Sequence, residues 1–424
     1  MNGTCKLLLL VSLTCMPAGA TAQEVRRVSM GEALQLFAAN NLEIRLARSR
    51  RAEAAGVARQ SRAYPNPTSS FTREFLSRDG DDYSETYLNF SQPIELPFER
   101  SARVAVADRS LEAADAELRA DSVRLAFTVK RSFVQATVAE DLLVLAERVM
   151  AVFRQAASSA ANREAEGDIS RYDLMRIRVE RSRYENLLAD AELDLSSERR
   201  RLALLILPDG DQDRVAPTGG LSRSPPELQL DRIAVGAVSR RQEVAAARAE
   251  VAAAAAGLRL SRAARLPDVT AMGGLKRQSD SFDGAFFGLS IPLPLFNRNS
   301  GTVEIASVRV GAADSRLALI ERQVEMDQRL AIETYGSLRD RTAFFGEDQV
   351  GDGLDLLEIA QVAYESGEME LLDLMDAAEA LWNARTAELR LIAGLWTAYY
   401  DLERALAGLD AEPSSGSTER ENEQ

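Results

Sequence analysis

Two stretches set the architecture. Residues 167–175 read Gly-Asp-Ile-Ser-Arg-Tyr-Asp-Leu-Met, and residues 367–375 read Gly-Glu-Met-Glu-Leu-Leu-Asp-Leu-Met, 200 residues later. Each follows a long run of helical character and begins another. A glycine followed by acids between two helices reads as a C-terminal stop and then a helix N-terminus, where negative charge is favoured. Each stretch is therefore expected to be the tip of a helical hairpin, and the chain to be two copies of one unit.

The rest of the sequence repeats at the same offset. Residues 29–62 read as a helix with Ser29 as cap and Glu32 three residues on, stopped by Tyr64-Pro65-Asn66-Pro67. Residues 68–76 and 83–94 alternate with a period of two around the polar turn 77–82, which predicts a strand pair. A long helix follows over 101–163, where Leu111, Leu118 and Leu125 recur every seven residues, and a return helix over 170–205. In the second half, Asn41-Leu42-Glu43-Ile44 is answered by Arg241-Gln242-Glu243-Val244, and Phe90-Ser91-Gln92-Pro93-Ile94 by Leu289-Ser290-Ile291-Pro292-Leu293. Strands are expected over 269–276 and 282–291, and helices over 230–263, 300–365 and 369–408. Gly346, Gly351 and Gly353 predict a break in the second long helix. The expected organisation is a first repeat over 23–205, a proline- and glycine-rich linker over 206–229, a second repeat over 230–410 and a polar tail over 411–424.

Helix length constrains the shape. The helix at 101–163 would span roughly 95 Å, longer than a compact domain of this size. The helices 170–205 and 230–263, stacked end to end, would reach roughly 105 Å, and 369–408 with 29–62 roughly 110 Å. The chain is thus expected to form a rod, with the strands at one end and the tips at the other.

The strands have the length that a tilted strand needs to cross a bilayer, and a soluble hairpin on a helical domain fits them equally well. If they lie in lipid, four strands cannot close a barrel alone, because about eight is the smallest number known, and an open edge leaves backbone groups unpaired. Several chains would then share one barrel. Leu88, Phe90, Phe287, Leu289 and Ile291 are the natural lipid-facing set, with Tyr87, Asn89 and Ser290 toward the lumen.

Composition excludes much chemistry. The chain of 424 residues has no histidine, and its two cysteines, Cys5 and Cys15, lie in the first 22 residues. Lys6, an apolar run and Ala20-Thr21-Ala22 mark residues 1–22 as a signal peptide, so the mature chain is expected to be exported without thiols or disulfides. His-based triads, zinc sites of Cys and His, and thiol catalysis are ruled out. There is no G-x-x-x-x-G-K motif for a nucleotide and no support for any cofactor or metal site. The net charge of −14 argues against nucleic acid as a partner.

The duplicated tips, the Tyr64-Pro65-Asn66-Pro67 lead-in and the Ser91-Gln92-Pro93-Ile94-Glu95-Leu96 exit of the first strand pair resemble the TolC family of outer-membrane efflux channels. The second tip carries the likeness furthest: Gly367, then Asp373-Leu374-Met375-Asp376-Ala377, then Leu381-Trp382-Asn383-Ala384-Arg385. The strand exit resembles the branch serving heavy-metal pumps of the cobalt–zinc–cadmium and copper type. The resemblance implies a mainly α fold with a small membrane β part. It implies a homotrimer sharing a 12-stranded transmembrane barrel continued by an α-helical barrel through the periplasm. It also implies a passive conduit, with a periplasmic membrane-fusion adaptor and a proton-driven inner-membrane pump of RND type as partners and outer-membrane lipid around the strands. Asp373, Asp376 and Asp173 would form the periplasmic gate, and Gly167, Asp168, Ser170, Gly367, Glu368 and Met369 would dock the adaptor. Acids near a helix N-terminus are also favoured by its dipole alone. Where that family has an arginine two residues after the second glycine, this chain has Met369, so its lock must be rebuilt, for which Arg171 is a candidate, or be absent.

The rival reading is an elongated periplasmic adaptor or scaffold that never enters a membrane. Adaptors carry long hairpins, but not two equal halves. An enzyme is a distant third, because the acids are spread at helix-surface spacing.

Overall fold

The computed structural model describes residues 25–78, 81–207, 215–226, 237–344 and 348–406. The elements are β1 (Arg26–Val28), α1 (Met30–Asn40), α2 (Leu42–Gln60), β2 (Thr68–Arg78), β3 (Asp81–Ile94), α3 (Pro97–Glu166), α4 (Arg171–Ile206), β4 (Val215–Pro217), α5 (Ala237–Arg240), α6 (Gln242–Ala263), β5 (Val269–Gln278), β6 (Asp283–Ser290), α7 (Ser300–Phe344), α8 (Asp348–Ser366) and α9 (Leu371–Ala405). Among the described residues no helix is long and apolar enough to cross a membrane. The expected signal peptide, the tail from 411, Gly346 and parts of the linker (208–214 and 227–229) lie outside the described residues.

The helix expected at 29–62 is two helices. Asn41 ends α1 and caps α2, its Oδ1 accepting from the Glu43 N–H at 2.9 Å and the Ile44 N–H at 3.1 Å. The second half breaks at the matching place, with Arg241 between α5 and α6. The second long helix is α7 and α8, and Gly351 and Gly353 lie inside α8 rather than at its start. A Cβ on Gly353 would sit 3.3 Å from Leu381 Cδ1, so this glycine lets α8 approach α9 closely.

Helix α3 has 70 residues and runs about 105 Å. It packs against α4, α2, α6 and α9, while α7 packs on α6 and α9. The stacking differs from the expected one. The C-terminal carbonyls of α4 are capped by the start of the chain: Asn41 Nδ2 donates to Leu205 O at 2.9 Å, and Asn40 Nδ2 to Ile206 O at 3.3 Å. So α4 abuts α2, not α6. The end of α9 meets the start of α6, where Arg241, Gln242 and Glu243 share a cavity wall with Tyr400, Glu403 and Arg404. The end of α4 and the start of α2 thereby find partners for groups that would otherwise be orphaned.

The linker also has a place. Its β4 pairs in parallel with β1, Arg26 opposite Val215. Farther on, Trp396 Nε1 donates to Ser222 O at 2.7 Å, and Leu221 joins the cluster of Val134, Val138, Leu389, Ala393 and Tyr400.

Strands β2-β3-β5-β6 form one antiparallel sheet in that order, so the hairpins of the two halves join through β3 and β5. Both β2 and β6 are edge strands. The register puts Phe71, Leu88, Leu275 and Ala285 in one row and Ser69, Phe90, Gly273 and Phe287 in the next, all on one face. The opposite face carries Tyr83, Glu85, Tyr87, Asn89, Lys276, Gln278 and Ser290. Gly274 lies beneath the Phe286 ring, where a Cβ would come within 2.7 Å of Cζ, which explains a glycine in mid-strand.

Candidate functional site: the helix tips and the sheet

Both tips are built alike. Helix α3 ends at Gly167, in the left-handed region at φ 86°, and α8 ends at Gly367, at φ 79°. Each turn is closed by backbone bonds: Asp168 N–H to Arg163 O at 2.8 Å in the first, and Glu368 N–H to Ala363 O at 2.8 Å in the second. The return helices are capped by the predicted aspartates. Ser170 Oγ donates to Asp173 Oδ2 at 2.6 Å and accepts from the Asp173 N–H at 3.2 Å. In the second tip the Glu370 N–H donates to Asp373 Oδ2 at 3.2 Å. Asp173 and Asp373 thus serve their own helix starts.

Gly167, Asp168, Ser170, Gly367 and Glu368 are exposed, as the turns require, and so are Asp373 and Asp376. The two aspartates are one turn apart on α9 and share a face. Asp173 is half-buried. Met369 and its counterpart Ile169 are half-buried and pack on the core of the tip. That core is shared by both hairpins. Phe153 and Tyr184 stack at 4.3 Å, and Ile177, Leu374 and Leu381 are fully buried among Leu357, Ala360 and Tyr364.

The sequence reading missed Arg163. From the last turn of α3, its Nη1 donates to Tyr364 O at 3.2 Å, and its guanidinium lies 5.9 Å from the centre of the Tyr364 ring. A Cβ on Gly367 would sit 3.2 Å from Arg163 Nη2. Burial pushes the Tyr364 phenol above its ordinary value; the Arg163 charge opposes the shift and the Asp173 charge adds to it. So Arg163 and Asp173 of the first tip both face the second. Arg171, the sequence candidate for this role, is exposed on the first turn of α4, and among the described residues no side-chain bond holds it. A basic residue in the last turn of α3 was a visible signal, but its partner lies 201 residues away.

At the other end, Leu88, Phe90, Phe287 and Leu289 share the apolar face and are exposed. Ile291 follows immediately after β6 and is also exposed. Among the described residues there is no cluster of three or more acids, histidines or cysteines that could hold a metal ion.

Comparison with known proteins bears on this geometry. Residues 235–408 match the family described as outer membrane efflux protein. The chain is 28% identical over 386 residues to the cobalt-zinc-cadmium resistance protein CzcC of Cupriavidus metallidurans, covering 89% of this chain and 90% of that one. It is 26% identical over 338 residues to the pyoverdine export outer membrane protein OpmQ of Pseudomonas putida, covering 76% of this chain and 70% of that one. The fold matches the crystal structure of the Campylobacter jejuni CmeC outer membrane channel with a TM-score of 0.75 at 15% identity, over 95% of this chain and 94% of that one. The family match in the second half, relatives that span both halves and a shared fold agree with the resemblance carried by the tips: residues 235–408 form an outer membrane efflux protein domain, of a family whose members are channels and not enzymes, and the whole chain has the fold of the TolC-like channels.

Proposed function

We propose that this chain is one third of a passive exit duct. Three copies would each contribute four strands to a 12-stranded barrel in the outer membrane, continued by a helical tunnel through the periplasm. The observation that carries this reading is the four-stranded sheet: one face apolar and exposed, the other polar, both edge strands unpaired within the chain, and the whole set at the end of a rod about 105 Å long. Uncovered edges are unstable in lipid, and β6 of one copy pairing antiparallel with β2 of the next removes them. Leu88, Phe90, Phe287, Leu289 and Ile291 would face lipid.

The tips would form the periplasmic mouth. Gly167, Asp168, Ser170, Gly367, Glu368 and Met369 would dock a membrane-fusion adaptor, joined to a proton-driven inner-membrane pump of RND type. Asp373 and Asp376 would ring the bore, with Asp173 behind them; carboxylates gathered in a narrow opening attract cations and repel one another. Heavy-metal cations are the cargo best supported, by the likeness to the cobalt-zinc-cadmium resistance protein. Beyond residue 22 the chain has no Cys or His and its Met residues are scattered, so it builds no soft site for them and selection would lie in the pump. The rival, a periplasmic scaffold, differs in one simple observable. Protein in the shared barrel leaves the membrane fraction only with detergent; release by high salt alone would overturn the duct and favour the scaffold.

A further inference from the structure

The polar face of the sheet carries a network that the proposed duct does not use. Glu85, on β3, is four residues from that strand's start and hence near the end of the sheet farthest from the helices. Its Oε1 accepts from Gln278 Nε2 at 2.7 Å and from the Tyr83 hydroxyl at 3.1 Å. Its Oε2 accepts from Lys276 Nζ at 2.8 Å and from the Tyr87 hydroxyl. Lys276 also lies 5.2 Å from the centre of the Tyr87 ring. An exposed ion pair is ordinarily a loose feature worth little. This one is fixed by four donors, and the Glu85 side chain is only 13% exposed. Glu74 stands directly opposite Glu85 in the register, on the same face, and is exposed. Two carboxylates against one ammonium leave one net negative charge per copy at this level.

We propose that Glu74, Glu85 and Lys276 form a second charge ring at the outward end of the lumen, cation-favouring and tempered by Lys276. This rests on the three-copy barrel, in which the polar face lines the bore. The tyrosines and Gln278 hold the Glu85 carboxylate and the Lys276 ammonium in fixed positions, so the ring keeps a set charge. Lys276 halves the acidity that the two glutamates would present, so cations drawn to the acidic mouth at the tips are passed outward rather than retained at the exit.

The test is the reversal potential of single channels in planar bilayers under a KCl gradient, with the dilute side near 0.1 M, where the screening length is about 10 Å. The full mature chain with Asp373→Ala and Asp376→Ala is the background, so that the tips do not set the current. Lys276→Met shifts the reversal potential toward the potassium limit, raising the cation-to-anion permeability ratio by about twofold or more, and Glu85→Gln shifts it the opposite way. Lys276→Arg keeps the background value. Conducting channels whose reversal potential ignores both Lys276→Met and Glu85→Gln would overturn the ring. An equal shift in Lys276→Arg and Lys276→Met would also overturn it, because the network would then act by packing and not by charge. Protein that never conducts and never forms a trimer would instead overturn the shared barrel, and the ring with it.

Discussion

Arg163 and Tyr364 join the two halves of the chain at their tips: the Arg163 guanidinium, from α3, donates to the Tyr364 carbonyl of α8 at 3.2 Å. That carbonyl lies in the last turn of α8 and also receives the Gly367 N–H at 3.2 Å. A cation there meets the negative end of the helix. The last turn of α8 has no basic residue of its own, and Arg163 supplies the cation from the neighbouring hairpin.

Arg163→Met keeps the aliphatic stem and removes the bond. We expect a loss of about 1–2 kcal/mol and a lower melting temperature by helical circular dichroism. An unchanged melt would mean that the bond adds nothing to the joining of the tips.

The two tip glycines should respond unequally. Gly167→Ala meets open space and costs only the left-handed backbone, roughly 1–2 kcal/mol. Gly367→Ala costs the same and must also displace Arg163. Pairing each glycine variant with Arg163→Met in denaturant unfolding measures the coupling: non-additivity for Gly367 and additivity for Gly167 are expected. In cells, Gly367→Trp should abolish efflux through lost adaptor docking; normal efflux would count against the tip as the docking surface.

Asp373→Ala with Asp376→Ala should raise single-channel conductance and weaken block by divalent cations, through lost carboxylates at the mouth. Conductance and block equal to the unsubstituted channel would remove these residues from the gate.

The mid-rod junction titrates with two signs. Burial pushes the Asp401 carboxyl above its ordinary value, with Arg404 and Arg131 opposing. Its contribution to stability is present below the ordinary value of 3.8 and lost as pH rises through the raised one. Asp401→Asn should therefore raise the melting temperature at pH 7, by about 2 °C, with the gain vanishing in acid. Burial also pushes Glu243 up, but the Arg241 hydrogen bonds and charge outweigh it and hold the carboxyl below 4.5. Its stabilisation is present above that value and lost as pH falls through the lowered one. Arg241, only 3% exposed, grips Glu243 at 2.9 and 3.0 Å, so Arg241→Met should cost about 3 kcal/mol at pH 7 and less in acid. Melting curves across pH check both signs.

The strands and tips were legible because their signals are local. Period-two alternation around 77–82 and the glycine-acid punctuation at 167 and 367 need only neighbouring residues. The helix break at Asn41 was legible in principle, since an Asn followed by Glu43 is a capping signal, but the surrounding Ala, Leu and Arg read as one helix. The stacking of α4 on α2 was not legible. Similar lengths allow either pairing, and the choice is made by Asn40 and Asn41 reaching carbonyls 166 and 164 residues away. Arg163 escaped for the same reason. The cargo is not written in the fold: chains of similar identity carry names of metal resistance and of pyoverdine export.

The shared barrel is tested most directly by the mass of the protein extracted in mild detergent, with boiled and unboiled samples run side by side. An unboiled particle of three chains that falls to single chains on boiling is the expected result. A monomer in both samples, or protein released by salt without detergent, would contradict it.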